Sequence, residues 1–210
     1  DIITQFVAAF NDVTINRYNK NKSIIDKIQV RYLYSPKQRV LHDMVNKAQH
    51  ITLPVVAVSI SSIARDETRV FNKLYGEYQT TGGNTKSDYL PSPIPINIGI
   101  SMSILAKYQT DMDQIISNFI PYNNPYIVIS WRVPTALSTT LKEIRSEVLW
   151  SGDVSVTYPN EIQPNQPARV AADTSFTIKG WMFPGREITE GKNILYVNTH
   201  LNPVSGFDYI

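Results

Sequence analysis

Residues 96–104 alternate without a break: Ile96, Ile98, Ile100, Met102 and Ile104 fall on one parity, Asn97, Gly99, Ser101 and Ser103 on the other. A period of two sends successive side chains to opposite faces of a strand, so this strand has one apolar face and one face of small polar groups. Burying five such apolar chains stabilises by about 10 kcal/mol before chain entropy is subtracted, enough to hold the register firmly. The period then changes. Thr110 and Asp113 form a capping-box-like start, and Met112, Ile115, Ile116, Phe119 and Ile120 follow at helical spacing until Pro121, where the helix is expected to stop.

The same reading extends along the chain. Ile2, Ile3, Phe6, Val7 and Phe10 share a helical face, which predicts an amphipathic helix docked on a sheet. "VTINRY" and "SIIDKIQVRYLY" flank the polar "NKNK" and alternate as a hairpin does, with Ile28, Val30 and Tyr32 on one face and Lys27, Gln29 and Arg31 on the other. Ser35 as N-cap, Pro36 at the first helical position and Gln38 as capping-box partner open a second helix, whose stripe is Val40, Leu41, Met44, Val45 and Ala48. Residues 55–60, "VVAVSI", are apolar on both faces and read as a central strand that turns polar and charged after Ser61. "YIVISWRVP", "EVLWSGDVSVTY", "ARVAADTSFTIKGWMF" and "NILYVNTHL" complete about eight strands, with the Pro-rich loop "PNEIQPNQP" among them. The pattern predicts an α+β fold: a mostly antiparallel sheet flanked by a few helices, largely on one face. No repeat, low-complexity tract or composition break divides the 210 residues, so one domain over 1–210 is expected.

One stretch resists both periods. "GEYQTTGGNTKSDYLPSP", 76–93, is rich in Gly, Thr, Asn, Ser and Pro, and structureless loops beyond about 12–15 residues are uncommon unless functional. It predicts an extended loop or long hairpin arm with Gly82 and Gly83 near its tip. Composition then narrows the possible chemistry. Twenty Lys and Arg against 18 acidic residues leave a charge of +2, too little for the electrostatic grip of nucleic-acid binding. The absence of Cys excludes disulfides, thiolate metal sites and a Cys nucleophile. No apolar run reaches the roughly 20 residues that cross a bilayer, so no membrane partner is expected. The chain opens at Asp1 without Met, which leaves room for a few preceding residues.

Catalytic constellations are hard to find. His42, His50 and His200 lack metal-ligand spacing, and no cofactor motif accompanies them. Lys86-Ser87 lacks the spacing of a phosphate-binding loop, and Gly82-Gly83 opens no helical pattern. Asp111 and Asp113 point to different faces of their helix, and the helix dipole explains acids in a first turn. Asp66 and Glu67 read as the solvated end of a strand, and "KEIRSE", 142–147, as a solvated stretch of mixed charge. A hydrolase with Ser, His and Asp assembled through space is a remote alternative, without a G-x-S-x-G elbow to support it. A structured core with long polar arms suits an interaction or assembly protein.

Two stretches carry a more specific signal. "PSPIPINIGISMSILAKYQTDMDQIISNFIPYNNP", 91–125, and "SFTIKGWMFP", 175–184, resemble the tail sheath stabilisation and completion proteins of large contractile-tailed bacteriophages. The element order fits that family over nearly the whole chain, although its members carry a longer C-terminal region, whose contacts do not transfer. The resemblance implies a tail-terminator-like fold and a non-enzymatic virion protein without cofactors. It implies a hexameric ring at the head-proximal end of the tail, assembled in the host cytoplasm, that caps sheath and tube and docks the neck. Another head–tail connector or neck component is the nearest alternative. Ring subunits need a second surface besides the core. The expected interface residues are Tyr78, Gly82, Gly83, Lys86 and Tyr89 on the arm, and Asn97, Ser101 and Ser103 on the polar strand face. That face permits close approach either by a neighbouring chain or by a helix of its own subunit, and both readings stand.

Overall fold

The computed structural model describes residues 2–45, 52–70, 76–81, 86–91, 93–123, 126–133, 142–158, 169–183 and 190–192. Helix α1 (Ile2–Ala9) leads into strands β1 (Thr14–Tyr18), β2 (Ile24–Gln29) and β3 (Arg31–Tyr34), then helix α2 (Lys37–Val45) and strand β4 (Val55–Arg65). A short 3₁₀ turn at Glu67–Arg69 precedes β5 (Gly76–Thr81), β6 (Lys86–Pro91), β7 (Ile94–Ala106) and helix α3 (Gln109–Tyr122). Strands β8 (Ile127–Arg132), β9 (Glu143–Trp150), β10 (Ser155–Thr157), β11 (Val170–Met182) and β12 (Glu190–Lys192) follow.

Seven strands form the main sheet in the order β3-β4-β7-β11-β9-β8, with β10 also paired to β11. Only β3 and β4 run parallel; the other pairs are antiparallel. β7 and β11 are the spine, paired over thirteen residues from Ile94↔Met182 to Ala106↔Val170. The fold is therefore α+β with a mixed, mostly antiparallel sheet. β1 and β2 form a separate ribbon, and β12-β6-β5 a separate three-stranded sheet.

The apolar parity of β7 is buried as its alternation requires. Ile96, Ile98, Ile100, Met102 and Ile104 join Phe6 from α1 and Phe10 just after it, Met112, Ile115 and Phe119 from α3, and Phe176 and Ile178 from β11. The opposite face holds a smaller cluster in which Val40 of α2 meets Val55, Ala57 and Leu105. Two helices thus cover one face and α2 the other, which is why Val55–Val58 is buried on both sides while the rest of β4 is not.

Several local expectations change. "SIIDKIQVRYLY" is two strands, because Val30 turns inward to pair with Val13 and the chain then leaves the ribbon to join the main sheet. The Ser35 hydroxyl caps nothing: it is buried without a partner, and Pro36 supplies the carbonyl that receives the first helical bonds from Arg39 and Val40. Tyr108, not a Thr110 capping box, precedes α3, with no side-chain cap. α3 runs through Pro121 to Tyr122: the proline removes one helical bond and ends the helix one residue later, where the Asn123 side-chain amide donates to the Phe119 carbonyl at 2.7 Å. "KEIRSE" lies largely in β9, where Ser146 and Val148 turn inward and Glu143, Arg145 and Glu147 outward. The strand expected in "NILYVNTHL" lies outside the described residues.

The ribbon is fastened to α3 by a side chain that imitates a strand. Gln114 Oε1 accepts from the Asn16 backbone N–H at 2.9 Å, and Gln114 Nε2 donates to the Asn16 carbonyl at 3.0 Å. Nearby, Arg17 meets the buried Asp111 carboxylate at 3.4 Å. Gln114→Leu strands two backbone groups at once and is expected to cost about 1–3 kcal/mol, read as a lower denaturant midpoint, whereas Asp113→Ala on the exposed side of α3 should leave the midpoint in place.

Candidate assembly surfaces

The small-residue parity of β7 is lined on both sides by its neighbours in register. Ser59 of β4 and Ser175 of β11 both oppose Ser101, Ser62 and Thr177 flank Gly99, and Ala64 and Lys179 flank Asn97. Three adjacent strands therefore present one continuous face made mostly of hydroxyls and short side chains. A bulge between Ile60 and Ser62 keeps this composition, because the extra residue returns Ser62 to the face that Ser59 occupied. Gly99 sits beneath it: a Cβ there would stand 2.7 Å from Ser61 Oγ and closer still to Ser62 Oγ. Both atoms are rotatable hydroxyls, and the nearest backbone atom, Ser62 N, would be 3.5 Å away, so a side chain at 99 would displace two serine hydroxyls rather than part the strands.

Both ends of the face are closed within the subunit. At one end Lys37, from the start of α2, reaches Asp173 at 2.6 Å, and the same carboxylate accepts from the Ser103 hydroxyl at 2.5 Å. Ser103 is consequently buried under its own subunit's helix. At the other end Arg69, from the 3₁₀ turn, donates to the Ile96 carbonyl at 2.7 Å and the Gly180 carbonyl at 3.3 Å, and its guanidinium lies 5.1 Å from the centre of the Trp181 ring. Between these closures Asn97, Gly99 and Ser101 are half-buried, with Ser61 and Ser62 exposed beside them.

The Arg69 end is held by Asp66, which is buried rather than solvated as its strand-end position had suggested. Its carboxylate accepts from the Thr68 hydroxyl at 2.6 Å, the Thr68 N–H at 3.0 Å and Arg69 Nε at 2.7 Å. The Thr68 bond first, and Arg69 next, lower its pKa from 3.8 to about 2. A depressed folded pKa contributes stability that is complete above 3.8 and is lost as the pH falls toward 2. Wild type is therefore expected to lose more stability than Asp66→Asn between pH 4 and pH 2, with the two curves running parallel above that window, in pH-resolved urea unfolding.

The clasp stands immediately before the arm. β5 and β6 pair antiparallel from Gly76↔Pro91 to Thr81↔Lys86, so Tyr78 lies directly opposite Tyr89, and Lys86 also opposes Lys192 of β12. Gly82 and Gly83 fall in the connection between β5 and β6, outside the described residues. The structure thus divides the expected interface residues into two groups. Asn97 and Ser101 share an open face with Ser103 at its covered edge, while Tyr78, Lys86 and Tyr89 belong to the three-stranded sheet.

Sequence reasoning did not find the Asp66–Arg69 clasp or the part of the polar face that β11 supplies. The second was legible in principle, since Ser175, Thr177 and Lys179 alternate with Phe176 and Ile178 just as β7 alternates. Asp66, Thr68 and Arg69 lie within three residues of one another, but their attachment to the sheet was not legible, because Arg69 meets partners 27 and 111 residues away. Among the described residues no group of His, Asp and Glu is placed to hold a metal ion, and no helix is long and apolar enough to cross a membrane. His42 is exposed on α2, 3.7 Å from the Asp43 carboxylate. His50 and His200 lie outside the described residues. What the polar face offers is hydrogen bonding through hydroxyls and short polar side chains.

Comparison with known proteins agrees with a structural role. No curated protein sequence matches the chain. Among solved structures it is similar to the sheath/tube terminator of an extracellular contractile injection system (PVC) in the extended state, at 10% identity and a TM-score of 0.46, over 96% of this chain and 62% of that one. The chain thus spans less than two thirds of that terminator's length. The T4-like virus Myoviridae tail sheath stabiliser family matches residues 1–205, nearly the entire sequence. The chain belongs to the T4-like Myoviridae tail sheath stabiliser family.

Proposed function

We propose that this protein terminates a contractile tail. It closes as a ring, of six copies on the family pattern, over the head-proximal end of the sheath and tube, and it offers the neck a surface to dock on. The observation that carries this reading is the family match across residues 1–205. The architecture supplies the means: a sheet face of short polar groups that a neighbour can approach closely, and a second sheet made of the arm and β12. Residues 1–210 act as one assembling unit, with Asn97 and Ser101 on one contact surface and Tyr78, Lys86 and Tyr89 on the other. The work is binding and closure, without bond-making chemistry, in the virion and on the assembling tail.

Electron microscopy of the purified protein mixed with contractile tails that lack a terminator tests the proposal. Density capping one end of the sheath and tube is expected; protein that binds neither overturns the reading. The arm has its own test. Replacing residues 76–91 with a short turn removes strands that pair with each other and with β12 but not with the main sheet. The melting transition should stay cooperative while capping is lost. Disappearance of the transition would place the arm in the core instead.

A further inference from the structure

We infer that the tip of the β1–β2 ribbon is a knob that seats in a cleft on the next copy of this chain, an inference that rests on the ring reading and locates its joint. The knob is the most exposed apolar feature among the described residues: Tyr18, Ile24 and Ile25 are 56%, 60% and 67% exposed. Lys20, Lys22 and Lys27 surround it against the single Asp26, so this tip carries a net +2, as much as the whole 210-residue chain. Exposed apolar side chains inside a rim of one charge are the anatomy of a binding surface, with complementary charge expected on the partner.

The complementary shape is on the same molecule. Where α1 ends, the Phe10 ring packs directly on Phe119 and Tyr122 of α3, its centre 5.6 and 5.9 Å from theirs, and with Val13 these rings line an open cleft of about 300 Å³ that Asp12 and Asn118 also border. That volume equals about ten waters' share of the liquid, room for a branched aliphatic side chain and part of a second. A cleft lined by aromatic rings and by Asp12, Thr14 and Asn118 offers apolar contact and one carboxylate to an apolar knob ringed by lysines.

The knob cannot fill the cleft of its own subunit. Thr14, which lines the cleft, and Tyr18, at the knob, are the two ends of β1, and a strand holds them about 13 Å apart. α3 locks that separation. It lies along β1 with Gln114 at Asn16 and Asp111 at Arg17, and the Arg17 guanidinium is 5.4 Å from the centre of the Tyr108 ring. The cleft residues at the far end of α3 therefore stand away from the tip. A contact that uses knob on one copy and cleft on the next is heterologous, the type that closes into a ring when each step includes a rotation.

The full-length protein tests the joint by mass measurement in solution. Ile25→Glu spoils the knob and Asn118→Trp fills the cleft, both at exposed positions, so melting should be unchanged in each. Wild type is expected to form rings, and each variant alone monomers. Their equimolar mixture should yield dimers and nothing larger, since such a pair shares one intact knob and one intact cleft. Because the chain has no Cys, Ile25→Cys combined with Asn118→Cys should give a ladder of disulfide-linked copies on oxidation. Variants that still form wild-type rings overturn the joint and leave the terminator reading standing. So does a wild type that stays monomeric at high concentration yet still caps tails. A cysteine pair that links only within one chain overturns the joint as well.

Discussion

Ile100→Asp is expected to abolish folding. Ile100 is fully buried at the middle of β7, the sheet's central strand, opposite Ile60 on one side and Phe176 on the other. A carboxylate there has neither water nor a cation to meet, and even in its neutral form it leaves polar atoms unpaired among aliphatic and aromatic groups. The cost exceeds about 4 kcal/mol, a large part of the stability of a typical domain. The expected readout is the loss of near-ultraviolet circular dichroism and of any cooperative melting transition. Ile100→Val, which removes a single methylene, should keep the fold at a cost of about 0.5–1.5 kcal/mol. A folded Ile100→Asp protein with wild-type melting would mean that β7 is not the buried spine described above.

Phe176→Ala is expected to be nearly as damaging by a different route. Its ring centre lies 5.2 Å from that of Phe6, 5.6 Å from Phe10 and 5.6 Å from Phe119, so one side chain of β11 ties α1 and α3 to the sheet. All three contacts are tilted or edge-to-face, the arrangements in which ring edges meet ring faces favourably. Truncation removes the shared partner of three rings and opens a cavity that two helices cannot both collapse into. A loss of about 3–5 kcal/mol is expected, measured as a shift of the urea midpoint. Because Phe119 touches the same ring, Phe176→Ala and Phe119→Leu together should cost less than the sum of the two alone. Additive costs would show that the cluster does not act as one unit.

How much of this was legible beforehand differs by element. The β7 alternation and the α3 stripe were readable because each is a local period, and a chain that hides one face must repeat every two or 3.6 residues. The helix boundaries were less so. Ser35 and Thr110 have the residue type of a cap, yet neither makes the bond, because each helix starts where packing places its axis. The four charges of "KEIRSE" are exposed, as their mixed signs imply, and only the inward Ser146 marks the stretch as part of a strand. The expected interface residues were chosen from two signals, a run without periodicity and a face without bulk, and the structure shows what surrounds that face. Ser103 lies under α2, Asn97 accepts from Arg69 at 3.4 Å, and Ser101 stays in the open part between them.

By itself the sequence determined the class of fold, the central strand and its two faces, and the family. All of these depend on residues near one another along the chain or on a pattern preserved as a whole. The tertiary structure alone decided which helix covers which face, that Asp66 and Arg69 bind the far end of the sheet, and that Gln114 serves as a strand for Asn16. It also decided that the exposed tip of the ribbon and the cleft between the end of α1 and α3 stand at opposite ends of β1. Those facts depend on contacts between residues tens of positions apart, and such pairings leave no periodic trace in either partner.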